Sequence, residues 1–173
     1  MTPKREQKMK DVAERRFQDL HVLLENVDDP HNLGAILRTC DAVGVSRVHL
    51  VYTESRPPRM SELRTKAAAS AVKWLDIKKW TSLEECLTAV RSEGFKIVVT
   101  ALTETGVPQW EIDFIQPTVL AIGNEHDGVS AALLAAADTV ATIPMRGMVQ
   151  SLNVSVATAV ILEEALRQRI SSK

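Results

Sequence analysis

Apolar residues fall along this chain in short runs of about five, and between the runs the pattern shifts to helical spacing. Residues 21–25 (HVLLE), 47–52 (RVHLVY), 96–101 (KIVVTA), 118–122 (TVLAI) and 139–143 read as strands, and 74–77 as a short edge strand. Helical spacing puts Leu33, Ile36, Leu37 and Cys40 on one face of a helix over 33–43, which Gly44 stops. Ser82 opens a second helix, and Glu85 three residues on fits a capping box; Leu83, Cys86, Leu87 and Val90 form its apolar face and Gly94 ends it. Ser130 caps a short helix through Ala137. A last helix over 156–169 aligns Val156, Ala159, Val160, Glu163 and Leu166, with Arg167 and Arg169 at the end where the helix dipole favours cations. The stretch 53–61, with Arg56, Pro57, Pro58 and Arg59, is a loop, and 62–72 permits helix but is rich in small residues.

Strands and helices alternate, and the strand–helix–strand unit over 21–52 has the length of a right-handed parallel crossover. The class is therefore α/β, a mostly parallel sheet with helices on both faces. Three polar loops, 26–32, 123–129 and 146–153, each follow a strand's carboxyl end. Parallel strands bring those ends to one edge, so the loops can converge on one site. The third loop holds Gln150, Ser151 and Asn153 with Gly147, and Arg146 beside them. A plain connector needs one cap residue and a glycine; this density of uncharged polar groups suits a ligand.

Composition narrows the picture. The chain has 173 residues and a net charge of −1, which fits one domain and excludes a uniformly cationic nucleic-acid binder. Cys40 and Cys86 lie far apart and read as reduced thiols of a cytosolic protein, and no apolar run has membrane-spanning length. Residues 2–18 hold six basic against three acidic side chains, with Met9, Val12, Ala13 and Phe17 near helical spacing. That is a basic amphipathic helix, either a solvated face or an arm touching a phosphate backbone through Lys8, Arg15 and Arg16. Dinucleotide, P-loop and serine-elbow motifs are absent, and the four His lack metal-ligand spacing, so no metal is expected. His31 and His126 lie in the polar loops; His21 and His49 sit in strands and read as structural. Arg38 alone would pass for a surface cation. Within two turns of the first polar loop, which Asn32 closes, it can reach an anion at the sheet's carboxyl edge.

Residues 32–44 (NLGAILRTCDAVG), 122–128 (IGNEHDG) and 143–155 (IPMRGMVQSLNVS) resemble, in order and spacing, the three signature motifs of SpoU-type RNA 2′-O-methyltransferases of the SPOUT superfamily. The resemblance covers residues 16–169, and 148–157 is most like the TrmH branch, the tRNA (guanosine-2′-O-)-methyltransferases. It implies a carboxyl-terminal deep trefoil knot, a homodimer, S-adenosyl-L-methionine bound in the knot, and a ribose 2′-hydroxyl as acceptor. The expected organisation is a basic helix over 1–20 and a methyltransferase domain over 21–173, in a cytoplasmic protein without a membrane anchor. Carried over by motif, cofactor contacts fall on Thr100, Leu102, Gly123, Ile143, Met148 and Leu152, and catalysis-associated residues on Asn32, Arg38, Glu125, Ser151 and Asn153. The expected target is guanosine 18 in the D-loop of tRNA. The alternatives are the same reaction on ribosomal RNA or another tRNA position, and a non-catalytic RNA-binding relative, against which Arg38, Ser151 and Asn153 argue. Many relatives carry a glycine where this chain has Ala68-Ala-Ser70, and some tRNA-modifying members extend beyond the position of Lys173.

The residue types suit the chemistry. Methyl transfer from a sulfonium needs an in-line oxygen, an apolar methyl pocket and help with the hydroxyl proton, and no metal. Arginine keeps its proton, so Arg38 is read as stabilising charge on the 2′-oxygen rather than as a base. Ser151 and Asn153 position the ribose or Arg38, Asn32 braces the loop, and Glu125 fixes the cofactor loop.

Overall fold

The computed structural model describes residues 3–54, 56, 73–103 and 105–172. The small-residue stretch 62–72, Ala68-Ala-Ser70 within it, and most of the loop over 53–61 lie outside the described residues, as does the Lys8 side chain.

The amino-terminal helix α1 (Pro3–Arg15) ends earlier than the pattern suggests, and β1 (Phe17–Glu25) starts earlier. The Phe17 N–H donates to Gly44 O at 2.8 Å and pairs Phe17 with Val45, which draws the segment into the sheet. Phe17, read onto the helix's apolar face, packs instead against the core. Next, α2 (Pro30–Val43) begins at a proline, whose missing N–H costs nothing in a first turn; Asp29 caps it by accepting from His31 N at 2.8 Å. Gly44 ends it at φ +90°, its N–H bonded to Cys40 O. Asn32 therefore lies in the helix's first turn rather than in the loop before it.

The chain continues through β2 (Val45–Val51), β3 (Asp76–Trp80), α3 (Leu83–Ser92), β4 (Lys96–Thr100) and β5 (Val107–Pro108), then a single 3-10 turn at Gln109–Glu111. It closes with β6 (Thr118–Ile122), α4 (Ala131–Ala135), β7 (Thr139–Thr142) and α5 (Val154–Ser171). The seven strands lie in the order β3-β2-β1-β6-β4-β7-β5, all pairs parallel. The edge strand β3 is where the sequence put it, shifted by two or three residues. The other edge, β5, has only two residues, one a proline, too short to stand out within a loop.

Strand alternation splits the interior in two. Leu20, Val22 and Leu24 face the side covered by α2 and α5, and Leu23 faces α3 and α4. Both faces are covered, which is why the strands read as continuous apolar runs. The carboxyl-terminal helix corrects the sequence reading. Its buried face is Thr158, Ile161, Leu162, Ala165 and Arg169, whereas Val156 and Glu163 are exposed. Apolar residues occupy more than one side of α5, so spacing alone could not choose the side that meets α2. Arg169 is also no solvated partner of the helix dipole. It is buried, ion-paired with Asp19, and donates to Asp19 O and Gln116 O, both at 3.1 Å. Gln168 adds bonds to Phe114 N and Ile112 O, fastening the end of α5 to the segment before β6.

Candidate functional site

The carboxyl ends of β4, β6 and β7 open into a cleft of about 690 Å³, within the ~300–1,000 Å³ usual for small-molecule sites. Three segments line it: residues 100–103, the turn 122–129, and the stretch that leads from β7 into α5. Thr100, Leu102, Gly123, Ile143 and Leu152 are all on its wall, as are Glu125, Ser151 and Asn153. Leu102, Ile143 and Leu152 give an apolar stretch, with hydroxyls and amides from Thr100, Gln150 and Ser151 around it. Such a wall accepts a ligand with polar ends and an apolar middle.

The turn after β6 is dictated by its own residues. Asn124 N donates to Gly128 O at 3.0 Å, and Asn124 Oδ1 accepts from His126 N at 2.8 Å and Asp127 N at 2.6 Å. Gly128 sits at φ +72°, and a Cβ on Gly123 would stand 1.9 Å from Gly128 O, so only glycine lets the turn close. Glu125 is thereby aimed across the edge. Its Oε1 accepts from Asn32 Nδ2 at 2.7 Å; Asn32 Oδ1 accepts from Asn153 Nδ2 at 2.9 Å. Asn153 Oδ1 caps α5 by accepting from Ser155 N at 2.9 Å and Ser155 Oγ at 2.6 Å. One hydrogen-bonded chain thus joins the first turn of α2 to the other two polar loops, across sequence separations of 93 and 121 residues.

Anchors below this chain were not singled out from the sequence. Asn26, at φ +50°, clamps β1 to the end of β2: its amide donates to Thr53 Oγ1 at 3.1 Å and accepts from Thr53 N at 2.9 Å. The buried Tyr52 hydroxyl donates to Val27 O at 2.6 Å; burial, then the Asp28 and Glu125 carboxylates, hold its proton well above the ordinary phenol range. Glu25, 3% exposed, accepts from both the backbone N–H and the hydroxyl of Ser130. A carboxylate ending an apolar run just before a polar loop was the available signal for Glu25; the Asn-x-x-Asp-Gly spacing was the signal for Asn124.

Other sequence expectations separate from the cleft. Arg38 is exposed and lies outside it, without an ion pair or hydrogen bond among the described residues. Six residues after Asn32 on a helix, it stands about 240° further round the axis. Met148 is 99% exposed and is not on the cleft wall. Arg16 is a structural cation rather than a free phosphate contact: its side chain is 8% exposed, paired with Asp41 and donating to Val45 O at 2.6 Å. Arg15 is exposed. His31 and His126 are exposed, whereas His21 and His49 are core residues. Burial, helped by the Arg47 charge, lowers His21 to about 4, and burial with the His21 neighbour lowers His49 to about 3. Trp80 Nε1 donates to His49 Nδ1 at 3.1 Å, so the His49 proton sits on Nε2, which faces His21 Nδ1 at 3.3 Å. Among the described residues, no group of three or more His, Cys, Asp or Glu is placed to hold a metal, and no helix is long and apolar enough to cross a membrane.

The chain matches the model of the SpoU rRNA Methylase family over residues 19–163. It is 46% identical over 171 residues to a tRNA (guanosine(18)-2′-O)-methyltransferase of Thermus thermophilus, covering 99% of this chain and 86% of that one. Its fold superposes on the crystal structure of the Aquifex aeolicus TrmH/SpoU tRNA modifying enzyme with a TM-score of 0.90 at 41% identity, over 98% of this chain and 84% of that one. A SpoU methyltransferase of Streptomyces viridochromogenes, solved in complex with the cofactor AdoMet, matches at a TM-score of 0.79 and 32% identity, over 93% and 64% of the two chains. With the family model, the fold and the joined motif loops in agreement, the chain belongs to the SpoU methylase family.

Proposed function

We propose that this protein binds S-adenosyl-L-methionine in the strand-end cleft and methylates a ribose 2′-hydroxyl of RNA, that of guanosine 18 in the D-loop of tRNA. The observation that carries the reading is the Glu125–Asn32–Asn153 chain, which ties the start of α2 to two loops around a cleft of cofactor size in a chain 46% identical to an enzyme of that name. The cleft fits the cofactor in chemistry as well as volume. Leu102, Ile143 and Leu152 suit its thioether and methyl region, while Thr100, Gln150 and the 123–128 turn offer hydrogen bonds to its polar ends. When bound, the cofactor supplies an electrophilic methyl group on a sulfonium.

The protein's part is orientation and charge. Ser151 and Asn153, on the cleft wall, position the ribose, and Asn32 and Glu125 keep Asn153 in place. Arg38 stabilises the negative charge that develops on the 2′-oxygen as its proton passes to solvent water and the oxygen takes the methyl group, and remains protonated itself. Because Arg38 lies outside its own chain's cleft, it acts across a homodimer, at the cleft of the partner subunit. The exposed apolar side chains Met148, Val149 and Val156, on either side in sequence of the cleft-lining residues 150–154, support a covered surface there. The carboxyl-terminal segment is threaded as a deep trefoil knot, a reading supported by the TM-score of 0.90 to the Aquifex enzyme and by the seating of α5 against residues 112–116. Arg15, with Lys8, contacts tRNA phosphates, and the protein acts in the cytoplasm, where that substrate is.

Labelled S-adenosylmethionine, wild-type protein and a tRNA transcript test the reading. Label should enter at position 18, and a transcript with 2′-deoxyguanosine there should take none. Label at another nucleotide, or in ribosomal RNA alone, would replace the target; no label in any RNA, with no binding of the demethylated cofactor, would overturn the reaction.

A further inference from the structure

The groups that Glu25 faces identify it as more than a buried acid. Strand alternation puts it on the α4 side of the sheet, with Leu23. In register it lies one residue beyond Leu24, which pairs with Ile122, so it stands level with Gly123, where the cleft turn leaves β6. The turn leaves from Ile122 and comes back at Ser130. The first stem is fixed by the sheet; the second is fixed by Glu25, whose Oε2 accepts from Ser130 N at 2.8 Å and Oε1 from Ser130 Oγ at 2.7 Å. Ser130 Oγ itself accepts from Leu133 N at 3.1 Å, so its proton is directed at the carboxylate. Everything Glu25 meets in these bonds is a donor. A carboxylate, with acceptors only, takes both as a charged acceptor; an amide of the same shape would keep Ser130 N on its oxygen but lose the charge, and its NH₂ donating to Ser130 Oγ would turn the hydroxyl proton away.

We propose that Glu25 is a positioning residue for the cofactor: by holding Ser130 it sets the 123–129 turn that forms one wall of the cleft and carries Glu125 to Asn32. Glu25 is not on the cleft wall, so it acts through Ser130 rather than by contact. The inference rests on the reading of the cleft as a cofactor site.

The experiment measures the affinity of the demethylated cofactor by calorimetry, melting temperature, and single-turnover methylation across cofactor concentrations. It uses wild type, Glu25→Gln, Ser130→Ala, the double variant and Cys86→Ala. Cys86 is buried on the inner face of α3, away from the cleft, and its truncation loses stability alone. Exchanging the charged acceptor for a neutral amide and turning the Ser130 hydroxyl should weaken cofactor binding in Glu25→Gln by roughly tenfold. Its rate should fall at low cofactor and return towards wild type at saturation. Ser130→Ala keeps the backbone bond and should lose less, and the double variant should bind no worse than Glu25→Gln, because both act on one linkage. Should Glu25→Gln not fold, Ser130→Ala decides: weakened affinity supports the inference, and wild-type affinity overturns it. An affinity for Glu25→Gln within about twofold of wild type, or a loss matched by Cys86→Ala at equal melting temperature, also overturns it. If wild type itself does not bind the cofactor, the failure belongs to the functional reading instead.

Discussion

The two edges of the sheet treat polar groups in opposite ways. At the amino-terminal edge, charges cancel within the chain: Arg16 with Asp41, Arg47 with Asp76 and Glu93, Arg91 with Asp138, and Arg169 with Asp19. At the carboxyl-terminal edge, two amides and a carboxylate hold one another through the Glu125–Asn32–Asn153 chain, and Arg146 is left exposed without an ion pair among the described residues. The first edge ties helix ends to strand starts and commits its charges to the fold. The second keeps two amides and one carboxylate in fixed positions, where a ligand can exchange bonds with them at little reorganisation.

Four measurements break or sharpen this contrast. The largest effect should come from Arg38, a cation uncommitted to the fold. Arg38→Ala should slow single-turnover methyl transfer by roughly two to three decades, about 2.7–4 kcal/mol, with cofactor affinity and melting temperature unchanged. Arg38→Lys should rescue little, because lysine lacks the planar fork. A folded Arg38→Ala protein within about threefold of the wild-type rate would remove Arg38 from the mechanism.

Acid should come next, acting on the fold rather than the cleft. His21 stays neutral in the folded protein down to about pH 4, whereas its unfolded pKa is 6.5. The unfolded state therefore binds the proton first. Stability is full above pH 6.5 and falls as pH drops towards 4, by ~3 kcal/mol for this residue. His49, lowered further, steepens the fall. Denaturant unfolding at a series of pH values would show this slope, and replacing both histidines with Phe should flatten it.

Arg169→Met tests the structural edge directly. It removes charge-assisted bonds to Asp19 and Gln116 and should cost ~2 kcal/mol in unfolding experiments, with cofactor affinity within about twofold of wild type. A large affinity loss would mean the two edges are coupled through α5. The smallest effect is expected in the arm. Lys8→Ala and Arg15→Ala should each lower the salt slope of tRNA binding by up to about one unit, whereas Arg16→Ala should lower melting temperature. A slope change from Arg16 alone would reverse its assignment as a structural cation.

How much of this was legible depends on range along the chain. Strand runs, turns and caps need only neighbours a few residues apart, so the α/β alternation, Gly44, the Ser82 cap and the convergence of the polar segments could be read from the residues, whereas the buried face of α5 could not. Bounds slipped where long-range pairing decided them. Phe17 joined the sheet through Gly44 and Val45, and β5 exists only because β7 offers it an edge.

The candidate site divides along the same line. The motifs, their order and the residue types for methyl transfer were determined by the sequence alone, because a turn such as 123–128 or a cap such as Asn153 is closed by its own few residues. Only the tertiary structure decided which polar side chains meet. Asn32 finds Glu125 and Asn153, Glu25 finds Ser130, Arg16 and Arg169 are taken by aspartates, and Arg38 and Met148 are left outside the cleft. The physical reason is that a hydrogen bond or ion pair is decided within about 3 Å, and which groups come that close across a hundred residues depends on how the strands are ordered in the sheet, which local pattern does not encode.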